Sequence, residues 1–253
     1  MGLMYADGDG VPKDREEAMK WFKLAADQGF APAQFDLGKK YEESGNYSEA
    51  VKWYRLAADQ GDDNAQCGMG EMYFNGTGVR TDQKEAVKWF KLSADQGNIV
   101  AQYNLGNAYA LGAGVQKDDK EALKWYTLAA KQGDADAQCN VGNSYSNGIG
   151  VPQNNAEALK WFRLAAEQGH PAAEYILGGM YYAGQGVQKN EKEAIRWWKL
   201  AAEHGDADAQ CNVGIMYEKG IGVPQDMKLA IHWYGLAAKQ GHANAKAALS
   251  RFR

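Results

Sequence analysis

The sequence predicts an all-α protein, a stack of about seven helix-turn-helix units. Three observations carry that expectation. Trp21, Trp53, Trp89, Trp125, Trp161, Trp197 and Trp233 stand 32 residues apart once and then 36 apart five times, which is the register of one unit copied along a chain. Within each copy the apolar residues recur at helical spacing, not at the alternating spacing of a strand. The copies also fill the chain. Taken from the small residue that opens each first apolar pattern, the units are 33–64, 65–100, 101–136, 137–172, 173–208 and 209–244, with partial units at 1–32 and 245–253. One repeat domain over 1–253 therefore accounts for everything, and no stretch is left for a second domain.

The first helix of a unit, helix A, is read in 101–136 from Ala101, Leu105 and Tyr109, which recur every fourth residue with Gly106 beside them. The same glycine and tyrosine return as Gly2/Tyr5, Gly38/Tyr41, Gly70/Tyr73, Gly142/Tyr145, Gly178/Tyr181 and Gly214/Tyr217. Helix A is expected to open at a residue able to cap free N–H groups, such as Asn64, Asp136, Asp208 or Asn244. The loop that follows reads Gly-x-Gly-Val in six units, from Gly8-Asp9-Gly10-Val11 to Gly220-Ile221-Gly222-Val223. Its glycines permit positive φ, and its valine is expected to plug the gap between the helices. In the second unit Ser44-Gly45-Asn46-Tyr47 takes its place and explains the four missing residues. Helix B then carries Ala86, Trp89, Phe90, Ser93 and Ala94 on an i, i+3, i+4, i+7, i+8 stripe, widened by Val87 and Leu92. Glu85, Glu121, Glu157 and Glu193 near its start suit the helix dipole and can reach Lys88 or Lys124 one turn on. Gln96-Gly97 and its counterparts end helix B, with glycine in the left-handed conformation that such a terminus needs. The string GDADAQCNVG occurs at both 133–142 and 205–214, so duplication of a two-unit block explains the likeness.

The order A-Q-x-x-L-G-x-x-Y, then G-x-G-V, then E-A-x-x-W-[FY]-x-x-A-A-x-Q-G resembles the Sel-1-like repeat, a relative of the tetratricopeptide repeat. The likeness covers the whole chain. It implies a right-handed α-α superhelix, a solenoid whose A helices face the inner curve and whose B helices lie outside. It further implies an adaptor for protein complexes, as in bacterial signalling, envelope and host-interaction systems and in eukaryotic quality control at the endoplasmic reticulum. Because each unit leans on its neighbours, losing Trp125 or Trp161 is expected to uncouple adjacent units. Met1 sits where Leu37 and Leu105 sit, so the first helix A lacks its opening turn. Unless short polar termini cap the stack, the expectation is a longer natural product.

Composition narrows the functional classes. The 253 residues carry 28 Lys+Arg against 32 Asp+Glu, a net charge of −4, which offers no general attraction to phosphate backbones or anionic lipid. Nucleic acid is excluded as an expected partner, and so is membrane insertion, since no apolar run has the length to cross a bilayer. The N-terminus lacks the order of a secretory signal, so the chain as given reads as soluble and cytoplasmic, or as periplasmic or secreted if residues precede Met1. The four histidines, His170, His204, His232 and His242, show no metal-binding spacing and read as solvated or helix-terminal. Cys67, Cys139 and Cys211 hold one place in units 72 residues apart, too distant for a disulfide. The cysteine-rich branch of the family has paired cysteines in its units, so its stapled, exported character does not carry over. The Gly-x-Gly loops lack the preceding strand and third glycine of a dinucleotide site. No nucleophile with an activating base can be named, and no cofactor, metal or catalytic residue is expected.

The variable positions point to a partner instead. Counting the opening alanine of helix A as one, positions 3, 7 and 10 lie away from the face with leucine and tyrosine and are expected to line the inner groove. Position 3 reads Phe35, Cys67, Tyr103, Cys139, Tyr175, Cys211; position 7 reads Lys39, Glu71, Asn107, Asn143, Gly179, Ile215; position 10 reads Glu42, Phe74, Ala110, Ser146, Tyr182, Glu218. Phe74, Tyr103, Asn107, Asn143, Tyr175 and Tyr182 are the candidate protein-binding residues, with rings for contact area and amides for a peptide backbone. A second reading of the same positions has the rings packed on a neighbouring helix A and the asparagines merely solvated. The leading function is a non-catalytic scaffold holding a peptide or protein in the groove. The alternatives are an immunity or inhibitor protein that binds a secreted effector enzyme, and a hydrolase or penicillin-binding activity as claimed for the cysteine-rich branch.

Overall fold

A computed structural model describes residues 1–252; Arg253, the end of the expected partial unit 245–253, lies outside the described residues. Among the described residues there are 15 helices and no strand. They alternate as A and B helices: α1 (Gly2–Asp7) and α2 (Arg15–Asp27), α3 (Ala31–Glu43) and α4 (Tyr47–Asp59), α5 (Asp63–Asn75) and α6 (Gln83–Asp95), α7 (Ile99–Leu111) and α8 (Asp119–Lys131). The series continues with α9 (Ala135–Asn147) and α10 (Asn155–Glu167), α11 (Pro171–Ala183) and α12 (Glu191–Glu203), α13 (Ala207–Lys219) and α14 (Met227–Lys239), then α15 (Ala243–Ser250). The chain divides into two compact halves, at Ala129 in α8. Within each half successive helices pack on one another in sequence order, as a solenoid does. No helix of the described residues is long and apolar enough to cross a membrane.

Helix starts follow from side-chain caps. Asp62, Asn98, Asp134 and Asp206 accept the backbone N–H three residues on at 2.6 to 3.0 Å, and His170 and His242 do the same through Nδ1 at 3.2 Å. The caps of the A helices thus lie two residues before the expected ones. Asn64, Asp136 and Asp208 sit inside the first turn, and Asn244 is likewise within α15. The displaced acids still contribute: Asp136 Oδ1 accepts from His170 Nε2 at 3.0 Å and Asp208 from His242 at 2.9 Å, so the cap of one repeat is tied to the repeat before it. Asp14, Asp82, Asn154, Asn190 and Asp226 cap the B helices.

The loop glycines have separate duties. The first, as Gly76 or Gly184, ends helix A in the left-handed region with φ of 73° and 71°. The second also has positive φ and lies on the start of the preceding B helix: a Cβ on Gly114 would meet the Gln83 oxygen at 2.1 Å, and one on Gly186 the Asn155 backbone at 2.4 Å. Close approach and backbone conformation together require glycine there. Val79, Val115, Val187 and Val223 then pack against the core of their own half.

The seam between paired helices explains the glycine of helix A. Gly38, Gly70, Gly106, Gly142, Gly178 and Gly214 lie under the rings of Tyr54, Phe90, Tyr126, Phe162, Trp198 and Tyr234, and a Cβ at any of them would stand 2.3 to 2.8 Å from the ring. Around this seam the helix B stripe is buried as its spacing predicts, with Ala86, Trp89, Phe90, Ser93 and Ala94 all within the core. Leu92 departs from expectation: it is 49% exposed, because it stands on the flank of the stripe, beyond the arc that helix A and the next repeat cover. A buried amide ladder joins repeats. Gln34, Gln66, Gln138 and Gln210 donate to the carbonyl eight residues back at 3.0 to 3.2 Å and accept from Gln60, Gln96, Gln168 and Gln240 at 2.6 to 2.9 Å. One rung differs. Buried Glu174 and His204 stand there, Oε2 to Nδ1 2.8 Å apart.

Candidate functional site

The face formed by the A helices is where the repeats differ most, and its chemistry is local to each half. In the N-terminal half, α5 and α7 leave a cleft of about 480 Å³ between them, lined by Glu71, Phe74 and Asn75 from α5, Asn104, Asn107 and Leu111 from α7, and Phe90 from α6 behind them. Phe74 and Phe90 meet as a tilted pair with ring centroids 6.4 Å apart. Asn107 Oδ1 accepts the Tyr126 hydroxyl at 2.7 Å, which fixes its amide and leaves the NH2 to donate. Tyr103, half-buried, packs on Tyr126 at 5.9 Å. Burial pushes the Tyr126 hydroxyl up to about 12, so it remains a proton donor to Asn107 at any physiological pH.

Glu71 was not among the candidate residues, nor was Asn104. Glu71 is half-buried and accepts from Asn104 Nδ2 at 3.4 Å. Its pKa is raised, first by burial and then by the negative charge of Glu42. Glu42, on α3, accepts the Tyr54 hydroxyl at 2.5 Å. A carboxylate at position 7 of one repeat and position 10 of the repeat before was visible in the sequence; that position 4 of the next A helix joins them depends on how neighbouring A helices meet.

In the C-terminal half the candidates are more dispersed. Asn143 lies on α9 with its Nδ2 3.9 Å from Cys139 Sγ, and its carbonyl accepts from Asn147. Tyr175 is half-buried on α11, its carbonyl accepting from Trp198 Nε1 at 3.0 Å; its hydroxyl pKa is raised, mainly by burial. Tyr182 is exposed, meets the Trp198 ring as a tilted pair 5.4 Å away and carries the Lys189 ammonium 5.5 Å from its ring centre.

The cysteines at position 3 do not line an open face. Cys67, Cys139 and Cys211 are free and buried, at 4 to 6% exposure, while Phe35 and Tyr103 rest on the helix B rings of their own repeats, Tyr54 at 5.7 Å and Tyr126 at 5.9 Å. Tyr175 differs: its hydroxyl meets the Asn212 side chain on α13, the neighbouring helix A. The acids near helix B starts pair as expected, Lys88 with Glu85 at 2.7 Å and Lys160 with Glu157 at 2.7 Å. No group of three or more His, Cys, Asp or Glu able to hold a metal occurs among the described residues.

Helix pairs in series, joined by a glycine-ring seam and a buried amide ladder, define an α-solenoid repeat protein. The chain belongs to the Sel1 repeat family, which it matches seven times, at residues 1–30, 31–62, 63–98, 99–134, 135–170, 171–206 and 207–242. Proteins of this family are in general protein-interaction scaffolds. Among solved structures it is similar to c5321, a protective antigen present in uropathogenic Escherichia coli strains with an SLR fold, at 37% identity and a TM-score of 0.96. That likeness covers 99% of this chain and 54% of c5321, so the chain spans about half of that protein. It is also similar to a Sel1 repeat protein from Oxalobacter formigenes, at 35% identity and a TM-score of 0.80, over 100% of this chain and 75% of that one. No curated protein matches it.

Proposed function

We propose that the chain is a non-catalytic scaffold that binds a peptide or protein partner along the face lined by its A helices. Phe74, Tyr103 and Asn107 would serve in the N-terminal half, and Asn143, Tyr175 and Tyr182 in the C-terminal half. The observation that carries this reading is the α5–α7 cleft, where an aromatic wall and three asparagine amides converge on a space of about 480 Å³. Rings present large area at small entropic cost, and amides can bond a peptide in either direction. The framework supports it as well: packing holds glycine, tryptophan and alanine in every repeat, while positions 7 and 10 change from repeat to repeat.

The test is affinity capture with the intact chain from its native cell extract, followed by binding measurements on what is retained. Replacing Tyr103 and Asn107 together by alanine should weaken that binding by at least about tenfold, the scale of one lost anchor. Unchanged affinity in a double variant of unchanged helicity would remove the reading.

A further inference from the structure

Two carboxylates on the N-terminal A-helix face have no cation to meet them. Among the described residues neither Glu42 nor Glu71 has a Lys, Arg or His nitrogen within 4.0 Å. Surface glutamates elsewhere in the chain commonly do, as Glu17, Glu85 and Glu157 show. Glu71 stands in the cleft with Phe74 and Phe90 on one side and the exposed Leu111 on its rim. Resting on the scaffold reading above, we infer that this cleft is a subsite for a basic side chain of the partner polypeptide, arginine or lysine, with its charge on Glu71 and its aliphatic stem against Phe74 and Leu111.

Charge and shape select that occupant. An acidic side chain would add a third negative charge beside Glu71 and Glu42. An apolar one would fill the aromatic wall but strip water from a carboxylate that gained no partner, which is costly. A long basic side chain meets both requirements, and ring faces nearby favour a cation further. The raised pKa of Glu71 has the same meaning: burial and Glu42 disfavour its ionised form in the free chain, and a bound cation removes that penalty. The C-terminal half holds an occupied counterpart. Glu218, at the same helix position as Glu42 and likewise accepting a helix B tyrosine at 2.5 Å, is met by the Arg251 guanidinium at 3.2 Å, with the Phe252 ring 5.8 Å from that guanidinium. What the chain supplies to Glu218 from its own sequence, a partner would supply to the Glu42–Glu71 pair.

The experiment is selection of a random-peptide display library on the intact chain, followed by anisotropy titration of the synthetic winner. Selected peptides should share Arg or Lys at one position. Replacing that residue by citrulline (or by acetyl-lysine), or replacing Glu71→Gln in the chain, should each weaken binding by about tenfold or more, and the two changes together should cost little more than either alone. Circular dichroism checks that the near-isosteric Glu71→Gln keeps its helicity. Peptides indifferent to both changes overturn the subsite. If those peptides still lose affinity with Tyr103→Ala and Asn107→Ala, the scaffold reading stands without it; if they do not, or if no peptide is retained, both fall.

Discussion

The seam between paired helices and the face of the A helices obey different rules although they share the same helices. At the seam every complete helix pair repeats one solution, a glycine under a large ring, with the absent Cβ leaving 2.3 to 2.8 Å that no side chain can use. On the A-helix face the same helices carry Lys39, Glu71, Asn107, Asn143, Gly179 and Ile215 at one equivalent position. Steric contact leaves the seam one choice per site, whereas solvent leaves the face many. A repeat protein can therefore diversify its recognition chemistry without touching what holds it together.

The strongest way to break this contrast is at a tryptophan of the core beside the seam. Trp125 is 4% exposed and belongs to the core of the N-terminal half with Leu105, Ala108 and Phe90. Trp125→Ala should destabilise by about 3 to 5 kcal/mol, read as a lower midpoint in urea. Trp125→Phe should cost far less than that, because the indole N–H is buried without a hydrogen-bond partner and its loss leaves nothing unpaired.

A second measurement decides to which region the position-3 cysteines belong. Burial, then Glu71 and Asp63, push the Cys67 thiol up to about 12; burial, then Asp136, push Cys139 up to about 11; Cys211 is raised by burial and Asp208. Only thiolate reacts with common thiol reagents, and a free cysteine near pH 8 is partly ionised. Native Cys67 and Cys139 should therefore label on the order of a hundredfold more slowly than in the urea-unfolded chain. Equal rates would put these cysteines on the open face.

The helical period, the loop glycines and the repeat register were legible in the sequence because each is a local property: an apolar stripe, a φ requirement, a spacing. What was not legible needs two helices at once. Gly106 recurs visibly, but its reason is the Tyr126 ring from the next helix. The A-helix starts were read two residues late because Asp62-Asp63-Asn64 offers capping side chains in succession, and only the backbone geometry chooses Asp62. Leu92 looked like core because it flanks a real stripe. Of the candidate site, Phe74 and Asn107 do share one cleft, while Glu71 and Asn104 enter it only once α5 and α7 are side by side.

Adjacent glycines on α11 test the contrast within a single turn. A Cβ on Gly178 would lie 2.3 Å from the Trp198 ring, so Gly178→Ala should destabilise by about 1 to 3 kcal/mol through overpacking. A Cβ on Gly179 meets nothing within 4 Å. Gly179→Ala should instead stabilise by about 0.5 to 1 kcal/mol, since glycine in a helix interior loses more backbone entropy than alanine. Opposite signs from neighbouring residues, measured in the same urea titration, separate steric fixation from surface freedom. A loss of stability at Gly179 as large as that at Gly178 would mean that the A-helix face is packed there too, and that its variability has some source other than exposure.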